Sequence, residues 1–123
     1  MNKINFFYAS NGNMVPTPTL LIPNNHIDNL NISTMSCFVL EDKPFKYYYE
    51  IDVNNFPSVT RSPLPPFENY NIMGQSIINM TSNFRFKDVY SNTQYIFEIR
   101  LFDSYGNQVD KSTTTVFLIG GGK

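Results

Sequence analysis

The chain has no tryptophan, one cysteine (Cys37), one histidine (His26) and one alanine (Ala9) among its 123 residues. Each scarcity removes a class of protein. A single cysteine excludes an internal disulfide and any cysteine-rich zinc site. With the one histidine in a polar, asparagine-rich segment, and no glycine-flanked serine elbow, a hydrolytic triad lacks its parts. Charged residues are only 15% of the chain and leave a net charge of -1, so no basic field attracts nucleic acid or anionic lipid. No apolar run approaches the length of a membrane span. Residues 4–9 are too few and too interrupted for a secretory core, so a cytoplasmic protein of a reducing compartment is expected.

Cofactor chemistry is equally poorly supplied. Gly12, Gly74 and Gly106 are isolated, and the glycines from Gly120 to Gly122 open no helix, so no phosphate-binding loop is present. Asp28, Asp42, Asp52, Asp88, Asp103 and Asp110 are scattered, without the dense alternating carboxylates of a calcium loop. Asp103 with Asn107 fits a side-chain-stabilised turn better than a cation clasp. Cys37 has apolar neighbours and no base close in sequence, and reads as a small buried hydrophobe rather than a nucleophile. No cofactor, no metal site and no enzymatic activity are expected.

What the chain does contain is aromatic and strand-forming. Eleven Phe and eight Tyr stand among many Asn and Ile, and strong helix formers are few. That composition predicts one all-β domain over residues 1–119 with a flexible glycine-rich tail at 120–123. The same bias follows from AT-rich coding and points to a low-GC bacterium or its phage.

The segment 83–119 is the clearest reading. Tyr95, Phe97, Ile99 and Leu101 alternate with Ile96, Glu98, Arg100 and Phe102, which assigns the two sets to opposite faces of a sheet. Asp103 to Asn107 supplies turn chemistry, and residues 112–119 form the returning strand of a hairpin. Earlier, residues 4–8 predict a strand with Ile4, Phe6 and Tyr8 on one face. Residues 19–22, bracketed by Pro16, Pro18 and Pro23, predict a short edge strand. Residues 24–31 are polar enough for one helical turn, and residues 35–40 read as a strand. Residues 45–53 form a strand with Tyr47, Tyr49, Ile51 and Val53 on the inner face and Lys46, Tyr48, Glu50 and Asp52 on the outer. Pro57, Pro63, Pro65 and Pro66 make residues 54–70 a long irregular connection. Gly74 sits in a turn or broken strand between Ile72 and Ile77, and residues 84–86 are a further short strand.

The run Val89-Tyr90-Ser91-Asn92-Thr93-Gln94-Tyr95, followed by Phe97, Ile99, Arg100, Asp103, Gly106 and Asn107, resembles the corresponding region of fibronectin type III and related immunoglobulin-like sandwiches. It departs from them at Ser91-Asn92, where Pro-Gly is usual, and in lacking an early buried Trp. The resemblance implies an antiparallel β-sandwich of roughly seven strands. It also implies that Tyr95 is a corner tyrosine, its hydroxyl bonded to upstream backbone, with Val89 as its apolar partner.

Two features are left for a working surface. Tyr48, placed outside by alternation, can anchor an interface or stack on a sugar, or simply pair across a solvated sheet. The proline-rich connection, with Leu64, Phe67 and Tyr70, is either a docking loop or a cap on the core. Lacking a catalytic constellation, the chain reads as a non-enzymatic protein-interaction or assembly module whose contact is an edge strand, such as that around Leu20 to Ile22, Tyr48 or the proline-rich connection. A virion accessory protein and an inhibitor of a host protein both fit that class, and its partner is a second protein or another copy of itself. A carbohydrate-binding module using exposed tyrosines is the alternative, and an unrecognised enzyme comes third.

Overall fold

Period-two alternation carries most of the chain into strands, and asparagine and glycine turns fold those strands back on themselves. The computed structural model describes residues 2–65 and 69–120, residues 69–71 by their backbone alone. Among them are nine strands: β1 (Lys3–Ser10), β2 (Thr19–Ile22), β3 (His26–Leu40), β4 (Tyr48–Val53), β5 (Phe56–Pro63), β6 (Asn69–Ile72), β7 (Gln75–Tyr90), β8 (Thr93–Phe102) and β9 (Gln108–Gly120). They form two sheets, ordered β1-β3-β7-β6 and β2-β9-β8-β4-β5. Every pairing is antiparallel except β2 with β9, which is parallel. The result is an all-β sandwich with immunoglobulin-like strand order.

The inner faces interlock. Phe38, Ile32 and Ile78 from the first sheet meet Phe97, Ile99, Leu101, Ile51 and Leu118 from the second, all essentially without solvent contact. Each such side chain contributes roughly 1.5–3 kcal/mol by burial. At one end, aromatic rings carry the packing: Phe86 stacks on Tyr95 at 3.9 Å and meets Phe97 edge-on at 6.2 Å, while Phe84 lies 5.4 Å from Phe97.

Two of the hairpins use the tightest available loops. Asn54 and Asn55, at φ 50° and 68°, join β4 to β5, and Met73 and Gly74, at φ 55° and 80°, join β6 to β7. Two successive positive φ values give the turn whose twist matches paired strands. In the β8–β9 connection, Asp103 Oδ1 accepts from the backbone N–H groups of Tyr105 and Asn107, each at 2.9 Å, and Gly106 takes φ 84°.

Several expectations are corrected. Residues 4–8 do form a strand, but its phase changes: a bulge between Ile4 and Phe6 leaves Ile4, Phe7 and Ala9 toward the core and Phe6 42% exposed. Instead of a helical turn over 24–31 there is a three-residue 3-10 turn, Pro23–Asn25, and β3 begins directly after it at His26. The connection 54–70 is largely not irregular. Pro57 and Pro63 are accommodated because β5 is an edge strand, where a missing N–H need not break a ladder, and two register shifts along β5 bend it further. Residues 84–86 are part of the sixteen-residue β7 rather than a separate strand. These edge segments raise the strand number above the roughly seven expected.

Phe97→Ala should lose about 3–5 kcal/mol in urea unfolding, whereas Phe117→Ala, whose ring is half exposed on an outer face, should stay within about 0.5 kcal/mol. The β8–β9 turn makes a pH prediction. The Asn107 N–H, with that of Tyr105, holds the Asp103 carboxyl below its ordinary value. A carboxylate depressed on folding stabilises above its unfolded value of about 4 and loses that contribution as pH falls through the folded one. The wild-type advantage over Asp103→Asn should therefore be full at neutral pH and fade below about pH 4, measured as the difference in urea midpoint.

Candidate functional site

On the outer face of the second sheet, alternation places charge in the middle and apolar side chains toward one edge. Cross-strand neighbours run Glu50–Arg100–Lys111, then Asp52–Glu98–Thr113, then Ile96–Thr115. Beyond these come Gln94–Phe117–Thr19 and finally Ile119 beside Leu21. Arg100 organises the charged half. Its Nη1 donates to Asp52 at 2.9 Å and to Glu98 at 2.6 Å, and its Nη2 to Glu50 at 3.0 Å. The hydrogen bond to Asp52, offset by the cost of burial and aided by Glu98 and Glu50, pushes the guanidinium above its ordinary value. Arg61 bonds Glu50 at 3.1 Å and covers the Phe102 ring at 3.8 Å, which is how Phe102 is buried on an outer face.

The other half of that face is uncovered. Leu21 is 66% exposed, Phe117 48%, Ile119 42% and Ile96 38%. A hollow of about 370 Å³ opens there, lined by Asn92, Thr93, Gln94, Phe117, Leu118 and Ile119. It adjoins β2, the four-residue edge strand of this sheet.

The outer face of the first sheet carries a groove of about 460 Å³ between Phe6, Tyr8, Met14 and Met35, with Asn79 and Thr81 on its far wall. It continues into a second hollow of about 300 Å³ reaching Ser33 and Asn83. The Tyr8 hydroxyl donates to the Met14 carbonyl at 2.8 Å and ties the β1–β2 loop to the rim. Cys37 lies on this sheet, buried, and burial pushes its thiol up against the smaller opposing effect of a hydrogen bond with Asn5.

The residues singled out by sequence are dispersed. Tyr48 faces outward as expected but is half-buried, directly between Phe102 and Pro63 on the neighbouring strands. Leu64 is no contact residue: it is 2% exposed and packs in the core, its N–H bonded to the Tyr47 carbonyl at 3.2 Å. Phe67 lies outside the described residues, and Tyr70 is placed only by its backbone in β6. Val89 is buried in the core. Tyr95 packs through its ring against Phe86, and burial raises its phenol. Among the described residues its hydroxyl makes no hydrogen bond, so the backbone bond expected of a corner tyrosine is replaced by stacking. The carboxylates that looked scattered are partly gathered: pairing of β3 with β7 brings Asp28 and Asp88 beside His26.

The edge strand that carries Leu21 was a candidate contact, but Ile96, Phe117 and Ile119 were missed, although a signal was present. Val116, Phe117, Leu118 and Ile119 are apolar without alternation, and a strand with one wet face has no need of apolar residues on both.

No protein-family model and no curated protein matches the chain. A solved structure described as fibronectin(III)-like modules of CbhA from Clostridium thermocellum is similar at 11% identity, with a TM-score of 0.43 over 98% of each chain. The assignment as a β-sandwich rests on this chain's own strand order and core.

Arg100→Met would leave Glu50, Asp52 and Glu98 crowded without their shared cation. A loss of about 2 kcal/mol is expected in urea unfolding, moderated because the cluster is partly solvated, and partly restored by 1 M salt.

Proposed function

We propose that the chain is a non-enzymatic protein-binding module that docks through the apolar half of its second sheet, beside the β2 edge. The observation that carries this is the cluster of Leu21, Ile96, Phe117 and Ile119, exposed on neighbouring strands where a solvated sheet would carry polar residues. A partner covering these side chains gains their burial, and the exposed edge of β2 offers backbone groups for an added strand. The partner is a protein, either a second species or another copy of the chain. A virion accessory protein and an inhibitor of a host protein both belong to this class.

The double variant Leu21→Asp/Phe117→Asp places two charges on the patch without touching the core. Its far-ultraviolet circular dichroism and melting should match wild type, while co-purification of the native-host partner, or concentration-dependent self-association by sedimentation, should fall at least tenfold. Equal retention by a folded double variant would refute the assignment.

A second reading draws on the groove of the first sheet, where Phe6 and Tyr8 stand beside Asn79, Thr81 and Asn83. Aromatic side chains next to amides and hydroxyls suit a sugar ring. If that reading holds, Tyr8→Ala abolishes retention on a glycan array and the double variant does not.

A further inference from the structure

The face presented by the β3–β7 ladder changes near its end. Ile27 and Val89 turn toward the core, as do Leu30 and Phe86, and between them Asp28, Asn29, Lys87 and Asp88 are all exposed. The register that pairs Ile27 with Val89 and Asn29 with Lys87 sets Asp28 opposite Asp88. Like charges facing each other across a ladder repel. Among the described residues neither carboxylate forms an ion pair with a lysine or arginine; each meets His26 instead. Nδ1 lies 3.9 Å from Asp28 Oδ1 and Nε2 lies 3.6 Å from Asp88 Oδ1. Both distances are too long for hydrogen bonds. Nε2 has no contact with solvent and no hydrogen-bond partner, so a ring nitrogen is withheld from water with nothing in its place. Tyr90, whose ring centre is 4.6 Å from that of His26, packs against the imidazole.

We propose that His26, Asp28 and Asp88 bind a divalent transition-metal ion of the zinc class. One ligand atom from each of the three lies within 4.8 Å of the others. Two atoms each about 2.1 Å from a tetrahedral ion stand roughly 3.4 Å apart, so modest rotation of the two exposed carboxylates closes the set. The ion would take the unpartnered nitrogen and neutralise the opposed carboxylates, the two features of this corner that the protein alone leaves unsatisfied. An imidazole among the ligands selects zinc-class ions over calcium or magnesium, which prefer oxygen alone. Three protein ligands leave a fourth position for water or for a donor from a partner protein.

Because His26 is the chain's one histidine, its ring signals in nuclear magnetic resonance report on the site directly. Tag-free protein stripped with EDTA should take up one equivalent of zinc by calorimetry. The His26 ring signals should shift and the melting temperature rise. Folded His26→Gln should bind at least tenfold more weakly. Asp28→Asn, at a side chain 86% exposed and so without risk to folding, should also lose about tenfold. Cys37→Ser should bind as wild type does, and calcium should leave the imidazole signals unmoved. The proposal is overturned if wild type takes up no zinc at millimolar concentration, or if Asp28→Asn and a folded His26→Gln both bind it undiminished. It is equally overturned if Cys37→Ser abolishes uptake, or if calcium shifts the ring signals as zinc does.

Discussion

The long antiparallel ladder between β3 and β7, running from His26 opposite Tyr90 to Leu40 opposite Ser76, is the constraint on which the rest of this sandwich depends. It forms the middle of the first sheet, with β1 laid along one side and β6 along the other. Because side chains alternate strictly along a strand, this one register decides which residues of both strands meet the second sheet. It delivers Ile32, Phe38 and Ile78 to the core and turns Met35, Asn79 and Thr81 outward to line the groove. Where the ladder changes face, near Asp88 at φ 52°, polar side chains from both strands collect instead of alternating with apolar ones.

The second sheet shows how differently its two edges are treated. On the β5 side, Pro57, Pro63 and two register shifts deny an incoming strand a regular ladder. Arg61 reaches inward from that strand to cover Phe102 and pair with Glu50. On the β2 side the prolines flank the strand rather than lie within it, Leu21 stands exposed beside Ile119, and no charged residue interrupts Thr19–Ile22. The two edges therefore differ in how regular a ladder they present. The proposed docking surface lies on the β2 side, and the charged cluster around Arg100 marks its border.

The apolar patch and the His26 corner rest on different physics. Apolar patches gain free energy from burial against any partner of fitting shape, so the patch argues for a protein surface without naming its owner. The corner argues from an unpartnered ring nitrogen and two opposed carboxylates, which a ligand of defined coordination chemistry satisfies. The two lie on different sheets.

Much of the architecture was legible in the residues themselves. Alternation around Phe97, Ile99 and Leu101 and the turn chemistry of Asp103 and Gly106 establish the β8–β9 hairpin, and proline brackets mark β2 as an edge strand, because these depend on interactions within a few residues. Other outcomes depended on contacts between distant segments. The bulge after Ile4 that turns Phe7 inward, the acceptance of prolines in β5, and the burial of Leu64 all follow from where a strand lies in its sheet, which local pattern does not encode. Tyr95 shows the same limit: its position in the strand was readable, but whether its hydroxyl or its ring would be engaged was decided by Phe86 on the opposite sheet. Nor could sequence spacing show that Asp28 and Asp88 meet at His26, or that Leu21 lies beside Ile119. Sequence by itself determined the alternating strands and the local turns, because backbone geometry and side-chain period act over neighbouring residues. Only the tertiary structure decided which outward-facing residues became neighbours, because register and sheet order are set by the packing of the whole core.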